Sequence, residues 1–507
     1  MLSIIKLNSA VNLPSFLFVR ETNDQGRGIF TKQSIRRGKR VFSSPPYAFG
    51  IGGITADNAR ALCHHCLCKI RSGNPVVCNK CKVVGYCSRE CLAAALPLHK
   101  FECEGVAKLE KLRGRPGPYM TTERDDLRPF WPPNEVLLVA RAINRRILQR
   151  DDDLSMHDLA PPLTMPLQKG KGSKGFDLLK QRVHHLVPSS VGDNEMYETF
   201  RRMTNNSAKV ECPRDNSATA IYLEYSLLNH MCRPNCGWEQ EYGKMWVFAL
   251  QDIEPNSQLG ISYLSFLYDI NLREIRRKEL KESFGFDCTC FLCLEEERVG
   301  SKYWLLDQKK RSLIAPWSRE WADDVMKNGW EQICRSRSMN DHQSIRLLEL
   351  AMKEQVSVLD KVNVTLILTA IFLLYKCSLE RKLCRKALSY FESIGEKGMN
   401  ALFEYGSMIA IEYVTLDIKA CCEELGYMKE ANEISDLMMT LFPKVPSGDK
   451  VCDSLWETGL KYDKDYISTV KCIQDDMVAP SASGRVVTPQ QVSSYVAKLC
   501  HSISKGQ

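Results

Sequence analysis

Eight residues able to ligate a metal lie between Cys63 and Cys103 of this 507-residue chain: Cys63, Cys66, Cys78, Cys81, Cys87, Cys91, His99 and Cys103. Their spacing runs C-x2-C, C-x2-C, C-x3-C, H-x3-C. Zinc takes four nitrogen or sulfur donors at tetrahedral corners, and a two-residue gap lets both thiolates of a knuckle face one ion. Eight donors therefore make two sites. The block has few large apolar side chains and cannot bury enough surface to fold alone. Each structural zinc can supply on the order of 10 kcal/mol. An interleaved pairing is expected, with Cys63, Cys66, Cys87 and Cys91 on one ion and Cys78, Cys81, His99 and Cys103 on the other. Such sets are closed, so these ions hold a shape and do no chemistry. His64, His65 and Cys68 are expected as exposed knuckle residues.

With 44% hydrophobic and 26% charged residues, the composition is that of a soluble globular protein of two to four structural units. A formal charge of +8 permits an acidic partner without marking a nucleic-acid binder. The basic stretch from Lys108 to Arg150 is mixed with acids and reads as a solvated face. Met1 to Arg20 lacks the marks of a secretory signal and reads as a strand or two. The longest apolar run, Val362 to Tyr375, falls short of the roughly 20 residues that cross a bilayer. It suits a buried helix. Metal spacing in the clusters of the 22 cysteines argues against a disulfide scaffold. The expected setting is reducing, cytoplasm and nucleus. A monomer without membrane contact is expected.

Residues 14 to 60 read as short strands with glycine punctuation: Phe16 to Val19, a turn at Gly26-Arg27-Gly28, then Ile35 to Phe42 around Gly38. After the finger at 63–103, a Gly/Pro/Arg-rich linker runs from Gly105 to Pro133. A helix is predicted beyond it, carrying Val136, Leu137, Val139, Ala140, Ile143 and Ile147. Residues 151 to 175 read as a surface loop and about 177 to 204 as a helical stretch. Strands return at Ala218–Tyr225, Met245–Leu250 and Leu259–Tyr263. After the cysteines near 290 the chain turns helical. Leu425-Gly426-Tyr427, Ala431 and Phe442-Pro443 fit a tetratricopeptide helix pair or a generic helical array. Residues from Ser481 on read as a partly mobile tail.

A second constellation is Leu228-Asn229-His230-Met231-Cys232-Arg233-Pro234-Asn235-Cys236, then Ile261-Ser262-Tyr263, then Cys288-Thr289-Cys290-Phe291-Leu292-Cys293. Each piece alone is ordinary; a lone Gly-x-Gly is a turn, and an Asn-His pair is usually satisfied in a core. In this order, behind Gly26-Arg27-Gly28 and around a finger that resembles the MYND type, the chain resembles the SMYD family. Those proteins are lysine methyltransferases whose SET domain is split by a MYND finger. The motifs cover roughly residues 14 to 297.

The resemblance implies an α+β fold. A β-rich SET domain (14–62 and 205–270) is split by the finger (63–103) and by a linker with a helical insert (104–204). A post-SET zinc segment (271–297), a helical, tetratricopeptide-like C-terminal domain (298–480) and a tail (481–507) follow. It implies S-adenosylmethionine and three zincs as cofactors. Gly26, Arg27, Gly28, Asn229, His230, Tyr263 and Phe286 would contact the methyl donor, as would Asn205 or Asn206, the register being open by one. Cys232 with Cys288, Cys290 and Cys293 would hold a third zinc, Cys236 being the competing fourth ligand. Tyr263 is the implied catalytic residue. Tyr222 and Phe286 would line an aromatic lysine channel, the alternative for both being core packing.

The implied partner is a protein with a target lysine, a histone tail or another protein, with a proline-containing peptide on the finger as a further one. Met231 and Gly260 depart from the family pattern, as does Gln258, where an acid is frequent. A different reading keeps the SET fold as an inactive scaffold or corepressor for finger-mediated binding. Duplex nucleic-acid binding has little support.

Overall fold

Alternating burial along Leu17–Thr22 pairs that strand with Gly26–Thr31, Val19 facing Ile29. The computed structural model describes residues 4–22, 25–52, 62–68, 70, 75–111, 134–149, 155, 158–159, 172–210, 217–241, 243–264, 273–299, 318–404, 408–441 and 489–504. The chain divides into two units. The first comprises Met1–Asn229, Cys236–Gly260 and Phe284–Phe286; the second comprises His230–Asn235, Ile261–Ser283 and Asp287–Gln507.

In the first unit, small antiparallel sheets carry the fold. Lys244–Ala249 lies between Cys236–Glu241 and Arg40–Ser44, and Ser217–Ile221 lies between Ala48–Gly52 and Ser207–Val210. Single bridges, Phe30 to Gln258 and Ile35 to Ile253, tie the first hairpin and the residues after it to the segment before Gly260. The helix Asn134–Leu148 lies directly on Ala48–Gly52. A Cβ placed on Gly50 would sit 1.7 Å from the Asn134 carbonyl oxygen, so only glycine permits that approach. Val136, Leu137, Val139, Ala140 and Ile143 of this helix are buried as predicted, whereas Ile147 is exposed. Arg145 clamps the helix to the strand's approach, donating to the carbonyls of Pro46 and Tyr47.

Several local expectations change. Residues before Arg20 form a helix, Ile4–Ala10, ahead of the strand. Its Asn8 behaves like a ladder partner, accepting from the Val19 amide at 2.7 Å and donating to the Val19 carbonyl at 2.8 Å. Gly26, at a φ of 71°, closes the hairpin turn opposite Thr22, while Arg27 and Gly28 continue into the strand. The expected linker begins inside a helix, Arg89–Lys111, and its remainder, 112–133, lies outside the described residues. So does most of the expected loop at 151–175. The helical stretch around 177–204 is two helices, Gly172–Val183 and Asp193–Asn206, with Pro188 between them. The expected strand at 218–225 ends at Ile221, and that at 259–263 shortens to Gly260–Ile261.

The second unit is helical. Val364–Ser378 is buried along nearly its whole length, and the Asn363 side chain caps it by accepting from the Thr365 amide. Helices Ser318–Ser336, Asp341–Val358, Cys384–Glu404, Met408–Leu425 and Met428–Leu441 share one apolar core with it. The expected tail contains a further helix, Pro489–Ser504. Its Val492, Val496, Cys500 and Ile503 are buried, and its His501 and Ser504 bond Glu392 of Cys384–Glu404. The fold class is therefore α+β, a strand-rich region with cysteine clusters followed by a helical region. No helix among the described residues is long and apolar enough to cross a membrane.

Candidate active site and metal centres

The finger's knuckles are closed by short-range backbone bonds. Leu67 N–H donates to Cys63 O and Lys82 N–H to Cys78 O, each closing a knuckle, with Leu67 and Lys82 at positive φ. The strands Val76–Val77 and Gly85–Tyr86 pair across the second knuckle. Ser88 then starts the helix Arg89–Lys111, its Oγ accepting from the Cys91 amide, and that helix delivers Cys91, His99 and Cys103.

Cys63, Cys66, Cys87 and Cys91 converge with ligand atoms within 4.8 Å of one another, as do Cys78, Cys81, His99 and Cys103. This is the interleaved pairing expected from the spacing. Sulfur separations are 3.6 Å for Cys66–Cys87, 3.4 Å for Cys87–Cys91 and 3.8 Å for Cys78–Cys103. A tetrahedron with zinc–sulfur bonds of about 2.3 Å has edges of roughly 3.8 Å. A disulfide would need about 2.05 Å. The donor sets thus fit a tetrahedral ion. His64 departs from expectation, being buried, while His65 is exposed and Cys68 half-buried.

His64 is buried because it joins a polar network. His99 Nε2 faces Cys81 at 3.6 Å, and its Nδ1 meets Glu102 Oε1 at 3.2 Å. Glu102 accepts twice from Arg141, Nε to Oε2 at 2.9 Å and Nη2 to Oε1 at 2.8 Å. Arg141 also donates to His64 Nδ1 at 2.9 Å and to the Phe49 carbonyl at 3.1 Å. Burial opposes the Glu102 charge, but the Arg141 guanidinium and the His99 ring outweigh it and hold the carboxyl at about 2. A carboxylate behind a ligating histidine fixes its tautomer and orientation.

The third group, Cys232, Cys288, Cys290 and Cys293, is fully buried and lies in the second unit. Cys232 is 3.9 Å from Cys288 and 3.6 Å from Cys293. Cys236, the competing ligand, stays outside this group, in the strand Cys236–Glu241. Arg276, buried on the helix Arg273–Phe284, donates to Glu296 at 2.7 Å and faces Cys293 Sγ at 3.8 Å. His230 Nε2 lies 3.2 Å from Cys232 Sγ, and the Tyr263 amide donates to His230 Nδ1 at 3.0 Å. Burial pushes the Tyr263 phenol above its ordinary range.

In the first unit, Arg27, Gly28 and Asn229 meet. Asn229 Nδ2 donates to the Arg27 carbonyl at 3.1 Å. A Cβ on Gly28 would come within 2.9 Å of Asn229 Nδ2 and 2.6 Å of Gln258 Nε2. The Arg27 guanidinium bonds the Asp158 carbonyl through Nη2, while its buried Nη1 has no hydrogen-bond partner among the described residues. The Asn206 amide donates back to Arg202 O, closing the helix end beside half-buried Asn205.

Tyr222 is fully buried among Phe49, Ile51, Leu62 and Met245, its hydroxyl donating to Gly243 O at 3.0 Å. Phe286 is half-buried in the first unit.

A SET-domain profile matches residues 26–264. Histone-lysine N-methyltransferase SMYD3 of Homo sapiens is 25% identical over 289 residues, covering 55% of this chain and 61% of that protein. N-lysine methyltransferase SMYD2 of Homo sapiens is 25% identical over 356 residues, covering 67% of this chain and 74% of that protein. SMYD2-A of Danio rerio is 24% identical over 353 residues, covering 67% and 74%. The chain thus spans about three fifths of the length of its SMYD3 relative. A solved SET domain of LSMT bound to lysine and AdoHcy aligns over 92% of this chain and 97% of that one. Its identity is 11% and its TM-score 0.26, too low to bear on the fold.

Proposed function

Taking as premise that the chain is a SET-domain protein related to SMYD2 and SMYD3, we propose that it moves the methyl group of S-adenosylmethionine to a lysine side chain of a protein, histone or not. The observation that carries this reading is the seat at Arg27, Gly28 and Asn229. The buried, unpartnered Arg27 Nη1 suits the carboxylate of the cofactor's amino-acid end, and a buried donor left unpaired costs about 1–3 kcal/mol. At Gly28 a side chain would displace the Asn229 amide. The residues therefore fit the group. Gly26, Asn205 and the His230 backbone are assigned to the same binding by resemblance.

Bound there, S-adenosylmethionine supplies an electrophilic methyl. The acceptor must be a neutral amine. With a lysine pKa of about 10.4, neutralisation near pH 7 costs roughly 4 to 5 kcal/mol. An apolar, water-poor channel reduces that cost by disfavouring the ammonium. The channel role is assigned to Phe286. Tyr263 is the proposed catalytic residue. Burial disfavours its phenolate, so it remains a neutral hydroxyl able to hold and orient the amine nitrogen. No covalent enzyme intermediate is needed, and positioning and desolvation carry most of the rate.

The three cysteine groups are proposed zinc sites with structural roles. The proposed location is cytoplasm and nucleus, where thiols stay reduced.

The test is transfer of labelled methyl from S-adenosylmethionine to core histones and to a proteome acceptor pool, with hydrolysis to identify methyl-lysine. Tyr263→Phe should cut transfer at least tenfold while leaving the melting temperature unchanged. Wild-type transfer by that variant would refute the role given to Tyr263, and no methyl-lysine in either pool would refute the activity.

A further inference from the structure

We infer that the His230 side chain is a positioning residue: it ties the backbone at Tyr263 to the sulfur of Cys232, so that the third cysteine group sets where Tyr263 stands. The directions of the two hydrogen bonds decide how the ring is used. A backbone amide can only donate, so the Tyr263 N–H at 3.0 Å makes His230 Nδ1 an acceptor. The ring proton then sits on Nε2, 3.2 Å from Cys232 Sγ, and is donated to that sulfur. One neutral ring accepts on one side and donates on the other, and neither role survives in a residue lacking both nitrogens.

The surroundings restrict the ring further. His230 is 3% exposed. It is flanked by Met231, whose amide donates to the Ile261 carbonyl at 2.8 Å, which fixes the Ile261-Ser262-Tyr263 segment alongside. The His230 and Tyr263 rings lie 5.5 Å apart, inclined at 57°. A second donor, Arg276 Nη2, faces Cys293 Sγ at 3.8 Å, so the sulfurs of this group are met by N–H groups on two sides. Anionic sulfur is what such donors favour. Cys232, Cys288, Cys290 and Cys293 would hold a zinc ion, and the His230 ring, bonded to Cys232 through Nε2 and to the Tyr263 amide through Nδ1, links that group to Tyr263.

That this seat serves methyl transfer rests on the function proposed above. The seat itself does not, and its test needs no activity. Two substitutions separate the two nitrogens. In His230→Asn the side-chain oxygen can replace Nδ1 toward the Tyr263 amide, but nothing reaches Cys232. In His230→Gln the longer amide can reach Cys232 with an N–H, but the acceptor beside Tyr263 is lost.

The full zinc-loaded chain is compared with both variants by two residue-level readouts. Amide hydrogen exchange is followed at Tyr263, and alkylation by iodoacetamide is followed at Cys232 by mass spectrometry. The finger cysteines in the same samples report whether each variant is folded. His230→Gln should raise Tyr263 exchange about fivefold or more with Cys232 protected, as loss of one net hydrogen bond implies. His230→Asn should leave Tyr263 protected and raise Cys232 alkylation. Equal changes in both variants, or no change in either, with finger cysteines still protected, would overturn the proposal. A wild-type chain that bound no S-adenosylmethionine would remove the function proposed above and leave these outcomes as they stand.

Discussion

Replacing Arg141 with methionine tests how the finger is anchored. Arg141 and Glu102 are each about 3% exposed at the side chain, and both are fully engaged with one another. The substitution keeps the aliphatic stem but removes two charge-assisted bonds to Glu102, one to His64 and one to the Phe49 carbonyl. Losing one partner of a buried pair typically costs about 3–5 kcal/mol, because the other charge stays behind unpaired. Two charge-assisted bonds at about 1.5–3 kcal/mol each give about 3–6 kcal/mol, which overlaps that range. Urea unfolding of the zinc-loaded protein should therefore show Arg141→Met destabilised by about 3–5 kcal/mol. Combining it with Glu102→Gln removes the stranded charge. The double variant should be more stable than the sum of the single losses predicts, by about 2 kcal/mol or more. Glu102→Gln alone should speed zinc loss to a chelator, since it loosens the His99 orientation. A loss below about 1 kcal/mol in Arg141→Met, or strict additivity in the cycle, would refute the reasoning.

Other outcomes follow from the same structure. Burial raises the Asp417 carboxyl from 3.8 to about 6 against a single Ser378 bond. Its folded-state pKa thus exceeds the unfolded one, so its contribution is fully present below about pH 3.8 and lost as pH rises through about 6. Asp417→Asn should stabilise the protein at pH 7.5, by no more than about 3 kcal/mol, and change nothing near pH 3.5; melting scans at both pH values decide it, and equal shifts would contradict it. Metal analysis of the full chain should find three zincs, and Cys290→Ser should lower the count to two; two in the wild type would remove the third site.

The metal groups were legible because ligand spacing is a local property. Two knuckle cysteines face one ion whatever the rest of the chain does. The role of Arg141 is not legible in the sequence, since Glu102 lies 39 positions away and no periodicity links them. A trace existed nonetheless: Arg141 falls four residues after Leu137, on the buried face of an apolar helix, where an unpaired charge would be costly. Arg276 carries the same mark, four residues before Leu280.

Glycine marks both turns and close approaches, and Gly26-Arg27-Gly28 holds one of each: Gly26 at positive φ in the hairpin turn, Gly28 against Asn229 and Gln258. The helix Pro489–Ser504 was hidden by the Ser, Pro and Gly residues ahead of it. Its apolar positions Val492, Val496, Leu499 and Ile503 nonetheless follow helical spacing. The burial of Tyr222 among Phe49, Ile51 and Met245 follows from which neighbours the fold supplies, and no motif contains that information.

Calorimetric titration of the full, zinc-loaded chain with S-adenosylmethionine tests the proposed methyl-donor seat most directly. Saturable one-to-one binding is predicted, weakened at least tenfold by Asn229→Ala. Gly28→Ala should weaken it similarly while sparing the fold, because the added Cβ pushes against the movable amide ends of Asn229 and Gln258. No binding by the folded wild type, or unchanged binding in both variants, would contradict the account.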